Sequence, residues 1–348
     1  MNPPGVQASE ASGRIVAART RIQGLFPGVL ACAVVGAAAT FLSEHYAAPV
    51  MLFALLLGMA MNFLSAEGSC QAGIEFTARQ VLRIGVALLG LRITLGQVEA
   101  LGWQPIALIV VSVVLTIGLS MVAARLMGFH TLFGLLSGGA VAICGASAAL
   151  ALAAALPQHP LKERATLFTV VGVSALSTLA MIFYPMLAQA LGLDARHAGV
   201  FLGATIHDVA QVVGAGYSLS RETGDVATFV KLMRVAMLVP VIAFAVLFTR
   251  PRGGASAATH GPRPPILPWF AVAFAVLVVV NSTGWLPASL TSAGSDVSRW
   301  CLVASIAGIG MKTALKDLVA VGLKPVALMV GETAFLALLA LLLLHWNA

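Results

Sequence analysis

Apolar runs long enough to cross a bilayer recur almost end to end in this chain, separated by short polar turns, and no other feature constrains its fold as much. A hydrocarbon core about 30 Å thick asks for roughly 17–25 apolar residues per helix. By that measure spans fall near 25–43, 48–65, 80–96, 105–125, 131–155, 165–192, 198–217, 226–249, 266–282, 298–315 and 325–346, eleven in all. Only 9% of the residues are charged and mean hydropathy is +0.98, which excludes an ordinary soluble domain. Open strands would leave backbone groups unpaired in lipid, and no segment alternates as a barrel strand does, so the expected fold is an all-α polytopic membrane protein.

The formal charge of +7 would suggest nucleic acid in a soluble chain, but here Lys and Arg serve as cytoplasmic anchors and no nucleic-acid site is expected. With the amino terminus inside, Arg14, Arg19, Arg21, Arg79, Arg83, Arg125, Arg196, Arg250, Arg252, Arg263, Lys312, Lys316 and Lys324 fall at cytoplasmic ends, 13 of the 20 basic residues. The positive-inside rule therefore favours a cytoplasmic amino terminus and an outer carboxyl tail. Residues 1–24 read as a polar cytoplasmic segment without the short apolar stretch and cleavage site of a signal peptide. Residues 25–248 carry spans 1–8, 249–265 form a Gly-, Pro- and Arg-rich cytoplasmic loop, and 266–348 carry spans 9–11. Cys32, Cys70, Cys144 and Cys301 are widely separated, so neither a disulfide framework nor a metal site is expected, and no cofactor is implied.

An internal repeat links the two parts. At an offset of 220, Arg79, Gly90, Leu95, Gly102 and Pro105 meet Arg299, Gly310, Leu315, Gly322 and Pro325, with Arg92 facing Lys312. At an offset of 219, Pro49 and Asn62 meet Pro268 and Asn281. The matched spans 2–4 and 9–11 are seven apart, and an odd separation reverses orientation across the membrane. Inverted repeats of this kind mark secondary transporters.

Two spans carry chemistry. Span 5, LFGLLSGGAVAICGASAALALAAAL, is weakened by Gly138, Gly139 and Gly145, and Ser147 is placed to cap a second half-helix. Span 7, GVFLGATIHDVAQVVGAGYS, sets Thr205, His207, Asp208 and Gln211 among glycines, and Asp208 is placed to cap a half-helix starting at Val209. Two interrupted helices whose amino ends meet near the midplane would aim two partial positive charges at one point, a geometry for an anion. Span 8 adds Lys231 and Arg234, three apart on one helix face, as anion partners or as interfacial anchors. Arg83 is a weaker candidate, and Glu332 stands in span 11 as either a proton carrier or a charge partner.

GGAVAICGASAALALA (138–153), GATIHDVAQVVGAGYS (203–218), VKLMRVAMLVP (230–240) and LLGLRITLG (88–96) resemble the signature blocks of the YeiH-type family of bacterial inner-membrane proteins, named also for sulfate export, over about residues 48–346. The resemblance implies a multi-pass inner-membrane protein exporting sulfate or a related sulfur oxyanion, with a fold similar to sodium/proton antiporters and bile acid symporters. It places a binding centre at Cys144, Gly145, Ala146 and Ser147 with Thr205, His207, Asp208 and Gln211. The leading expectation is a secondary transporter moving a small anion outward by alternating access, with Lys231 and Arg234 at the anion and Asp208 coupling it to protons. The chain has no Walker motif and so no ATPase site of its own. Two alternatives stay open: a cation/proton antiporter working through Asp208, and, from another class, a membrane enzyme with Cys144 as nucleophile and His207 as base. The expected partners are a small anion and the lipid bilayer, and homo-oligomerisation is left open.

Overall fold

A computed structural model describes residues 4–46, 50–66, 68–157, 162–249, 269–313 and 323–346, and every regular element among them is helical. Among the described residues, five helical stretches are long and apolar enough to cross a bilayer: Gln23–Tyr46, Gln104–Leu126, Lys162–Ala190, Arg221–Thr249 and Leu323–Trp346. The chain is a polytopic membrane protein. The expected loop 249–265 lies, apart from Thr249, outside the described residues, as does the repeat segment 314–322.

The chain forms two compact units. The first comprises residues 1–85 and 297–313. In it α1 (Pro4–Tyr46) packs on α2 (Val50–Ala60) and on α4 (Gln71–Phe76), while the short α3 (Phe63–Ala66) lies between those two in sequence. Gly28 and Gly73 allow this: a Cβ on Gly28 would fall 2.0 Å from the Cys70 carbonyl oxygen, so the backbones of α1 and α4 touch directly. Glu75 ties Arg79 and Lys312 together near one end.

The second unit comprises residues 86–296 and 314–348. Its helices are α6 (Leu95–Leu101), α7 (Gln104–Leu126), α8 (Thr131–Ala142), α9 (Ala146–Ala155), α10 (Lys162–Ala190), α11 (Ala195–Thr205), α12 (Val209–Leu219), α13 (Arg221–Ala236), α14 (Leu238–Thr249), α15 (Trp269–Ser282) and α17 (Leu323–Trp346); α5 (Leu82–Leu88) and α16 (Ala288–Lys312) begin in one unit and end in the other.

Local contacts reproduce the sequence repeat. Asn62 Nδ2 donates to Met311 O at 2.6 Å and Thr313 O at 3.4 Å, and its repeat partner Asn281 donates to Ile93 O at 3.2 Å. Thr313 and Ile93 are themselves 220 positions apart, so the two contacts are reciprocal. The same holds for the close approach of Gly58 to Gly310, matched by that of Leu277 to Gly90. Chance likeness between apolar helices would not pair equivalent residues in both directions.

The two glycine-weakened segments break where their sequences allow, at 143–145 and 206–208. They do not continue onward as interrupted spans; each folds back on itself. A Cβ on Gly139 would lie 2.3 Å from Leu152 Cδ1, whereas thirteen residues of continuous helix would put them about 20 Å apart. Helices α8 and α9 are therefore the legs of a helical hairpin, here hairpin A. In the second segment Gly199 packs on Thr223 and Val226, and Gly203 on Ala227 and Val230, so α11 runs parallel to α13. Gly216 packs on Gly224 and Ala227, so α12, joined to α13 through Ser220 alone, runs antiparallel to it. Helices α11 and α12 form hairpin B. Legs of 10–12 residues are about 15–18 Å long, half a bilayer core.

This corrects the placement of Arg196. Counting both segments as crossings puts it at a cytoplasmic end and Leu101 at an outer one, yet Arg196 donates to Leu101 O at 2.7 Å. The two residues lie at the same end of the unit, as a hairpin requires.

Candidate functional site

The site is built where the hairpin tips meet. Gly145, at φ +65° in the left-handed region, turns hairpin A, and a Cβ there would sit 3.6 Å from the Cβ of His207 in the tip of hairpin B. Gly145 is also the amino-terminal cap residue of α9 and has no side chain to cap it, while the Cys144 thiol takes the Ala148 N–H and leaves those of Ala146 and Ser147. The expectation that Ser147 caps this half-helix is corrected: the positive-φ glycine starts the helix at Ala146, leaving Ser147 exposed in its first turn. The first-turn amides of α9 therefore face the tip region without a capping oxygen. In hairpin B the expected cap is in place, with Asp208 Oδ1 accepting the Ala210 N–H at 2.8 Å.

Helices α8 and α11 end at the same point, which brings their orphan carbonyls together. Lys231 and Arg234, wholly buried on one face of α13, supply the donors. Lys231 Nζ reaches Ile143 O at 2.6 Å and Ile206 O at 3.0 Å. Arg234 Nε donates to Ala142 O at 2.9 Å; one terminal nitrogen reaches Gly203 O at 3.2 Å and Ile206 O at 3.4 Å, and the other Val141 O at 3.0 Å and Ala142 O at 2.5 Å. Each cation thus bridges both hairpins, and neither is an interfacial anchor. A guanidinium has five N–H donors and all five are used, whereas an ammonium has three and Lys231 uses two. Arg234 has no donor to spare for a ligand, and Lys231 keeps one. Both fasten helix carboxyl ends, where positive charge also meets the dipole.

His207 is fully buried. Its Nδ1 lies 3.0 Å from Val141 O, which can only accept, so Nδ1 carries a proton; Nε2 lies 3.1 Å from Thr333 Oγ1 on α17. Asp208 instead takes its bonds from backbone, and its own N–H donates to Ser177 Oγ on α10 at 3.0 Å. Gln211 Nε2 donates to Thr178 Oγ1 at 2.9 Å, and its buried Oε1 has no partner among the described residues. Thr205 returns its hydroxyl to Phe201 O. Cys144 is a buried free thiol in the tip of hairpin A. Cys144, Gly145, Thr205, His207, Asp208, Lys231 and Arg234 are thus drawn to one locality, with Gln211 one turn behind, while Arg83 belongs to the other unit.

Two features have no simple sequence signal. Arg92 stacks over the Tyr217 ring at 5.2 Å and pairs with Asp225 at 3.4 Å, and the Tyr217 hydroxyl bonds the same carboxylate. Beside this cluster, at the distal ends of hairpin B and α13, Leu101, Arg196, Arg221, Glu222 and Phe229 help to line a cavity of about 500 Å³. Near it Asp194 caps α11, and the His197 backbone N–H and ring hold its carboxyl below the usual range.

An all-helical membrane protein with two opposed helical hairpins fastened by buried cations is the class that the fold and site define. The family model described as conserved hypothetical protein 698 matches residues 27–329. A UPF0324 membrane protein of Chlorobaculum tepidum is 55% identical over 335 residues, covering 96% of this chain and 93% of the relative. The UPF0324 membrane protein TauZ of Paracoccus denitrificans is 52% identical over 332 residues, 95% of this chain and 98% of the relative. A Bordetella pertussis relative is 35% identical over 89% of this chain and 90% of its own. The chain belongs to the UPF0324 family of membrane proteins, in keeping with the resemblance of its motifs.

Proposed function

We propose that this protein is a secondary transporter that moves a small sulfate-like anion outward across the bacterial inner membrane by alternating access. One observation carries the reading: the Ala146 and Ser147 N–H groups at the start of α9, which no side-chain oxygen caps, and the one unused donor of Lys231 belong to the same tip contact. Backbone N–H groups of Ala146 and Ser147 and the ammonium would share the anion, with Cys144, Thr205, His207 and Gln211 around it, while Arg234 positions the two tips. Asp208, half-buried in hairpin B, is the proposed group through which protons enter the cycle. A cytoplasmic amino terminus fits the hairpins as well as it fits eleven crossings: Arg196 leaves the inner side and Lys162 and Arg164 join it.

A cation/proton antiporter working through Asp208 is the second reading, and the unpartnered Gln211 Oε1 one turn further along α12 is what favours it. An enzyme using Cys144 and His207 has less support, since both ring nitrogens have other partners. The test is uptake of labelled sulfate, sulfite and taurine, in parallel, by everted membrane vesicles. Protein-dependent uptake of one of them, lost in Lys231→Gln vesicles that retain the protein, is expected; no uptake of any above empty vesicles overturns the reading.

A further inference from the structure

Glu332 lies in the middle of α17 and is 1% exposed. Its Oε1 bonds the Ser120 hydroxyl from α7 and accepts the Ser137 hydroxyl from α8 at 2.8 Å, and Ser120 Oγ also donates to Gly134 O at 2.6 Å. Its Oε2 is buried and has no partner among the described residues. No cation pairs with it among the described residues, so the charge-partner role that the sequence allowed is not the one built. The fit around it is close: a Cβ on Gly138 would fall 2.5 Å from Ser120 Cβ and one on Gly134 would fall 2.5 Å from Ser120 O, so α7 and α8 meet backbone to backbone under the carboxyl.

The elements packed on α17 are α7, α8, α10 and α11. Their ionisable groups are Arg125 on α7, His130 at the start of α8, Lys162, Glu163, Arg164 and Tyr184 on α10, and Arg196 and His197 on α11, with Lys324 and His345 on α17 itself; none bonds Glu332. The ionisable group joined to its immediate neighbour is His207, through Thr333. Two adjacent residues of α17 therefore hold the two hairpins, Glu332 through Ser137 on hairpin A and Thr333 through His207 on hairpin B.

We infer that Glu332 is a proton-binding site that controls the docking of hairpin A against α7 and α17. With the proton on Oε1, the carboxyl is neutral and donates to Ser120 Oγ, whose own hydrogen goes to Gly134 O, while Ser137 donates to Oε1. When the proton leaves, a full negative charge faces at most the two serine hydroxyls, one of them shared with Gly134 O, with no cation paired to it among the described residues. Water or a cation reaching the carboxylate beside α8 would relieve that state, and the close backbone fit of α7 and α8 admits either when hairpin A moves away. Proton release thus favours an arrangement in which the tip contact is loosened, and proton uptake favours the closed one described above. This assignment rests on the transport reading for its purpose, but not for its chemistry.

The test is carbodiimide labelling of the purified full-length protein in lipid nanodiscs, read by peptide mass spectrometry across a pH series. Carbodiimides add to protonated carboxyls in apolar surroundings. An adduct on Glu332 that falls about tenfold per pH unit above its midpoint, as one titrating acid requires, is the expected result. A Ser120→Ala, Ser137→Ala double variant should extend labelling to higher pH, because the ionised form loses its two donors. Glu332→Gln, which keeps an acceptor for both hydroxyls, serves as the folded control and should lose the adduct. A folded protein in which Glu332 stays unlabelled, or labels equally at every pH, or in which only Asp208 labels, overturns the proposal. Labelling as expected without anion uptake in vesicles would sink the transport reading alone, and uptake without it would sink this one alone.

Discussion

Replacing Arg234 with Met separates a residue that fastens the hairpins from one that neutralises an anion. The side chain makes five bonds to four carbonyls. Val141 O keeps His207 as a donor and Ile206 O keeps Lys231, so Ala142 O and Gly203 O are the two left without a partner. A buried acceptor stranded in this way costs about 1–3 kcal/mol, giving roughly 2–6 kcal/mol for the pair. At about 2–4 °C per kcal/mol for a body of this size, the melting temperature should fall on the order of 10 °C. Arg234→Lys should recover only part of the loss, since an ammonium has three donors against the five that the guanidinium uses here. The assay is thermal unfolding of the detergent-purified protein, followed by loss of the monodisperse peak in size-exclusion chromatography. An Arg234→Met protein with wild-type stability but no anion uptake would refute the reasoning, because it would make the guanidinium a ligand group and its bonds incidental.

Other substitutions test the remaining parts. Gly145→Ala places a Cβ at φ +65° and should cost about 1–2 kcal/mol of stability in the same assay, whereas Gly96→Ala, where a Cβ meets open space, should cost less than half as much. Asp208→Asn should still take up the anion but lose its response to a pH gradient across vesicles; wild-type pH dependence would reduce Asp208 to a helix cap. Asp194 is held below its usual value in the folded protein, so its contribution is present above the unfolded value near 4 and is lost as pH falls through the lower folded value. Asp194→Ala should therefore lower stability by about 1 kcal/mol or less at neutral pH, and the difference from wild type should vanish in acid.

Much of this was legible in the residues. Glycines around ICGAS and the TIHD sequence marked both breaks, and an Asp followed by VAQVV marked the start of α12, because short polar side chains before an apolar run are how chains begin helices. Ser147 misled because it obeys the same rule, while the positive φ of Gly145 decides the boundary and has no side chain to advertise it. The hairpins were invisible to hydropathy: a run of 25 apolar residues has the same composition whether it crosses or turns back. What distinguishes the two is the contact of Gly139 with Leu152, a tertiary fact. Lys231 and Arg234 announced themselves as charges in an apolar stretch, but their partners are backbone carbonyls, which every residue carries and no sequence singles out. The Arg92, Tyr217 and Asp225 cluster was missed for a related reason, its arginine lying 133 positions from its carboxylate.

Cysteine accessibility tests the opposed hairpins most directly. In a background with Cys32, Cys70, Cys144 and Cys301 replaced, single cysteines at Phe129 and Pro157 flank hairpin A, and at Leu191 and Arg221 flank hairpin B. A membrane-impermeant maleimide applied to oriented vesicles should label Phe129→Cys and Pro157→Cys from one side, and Leu191→Cys and Arg221→Cys from the other. Labelling of Phe129→Cys and Pro157→Cys from opposite sides would mean that residues 131–155 cross the membrane, and the tip-to-tip site would not exist.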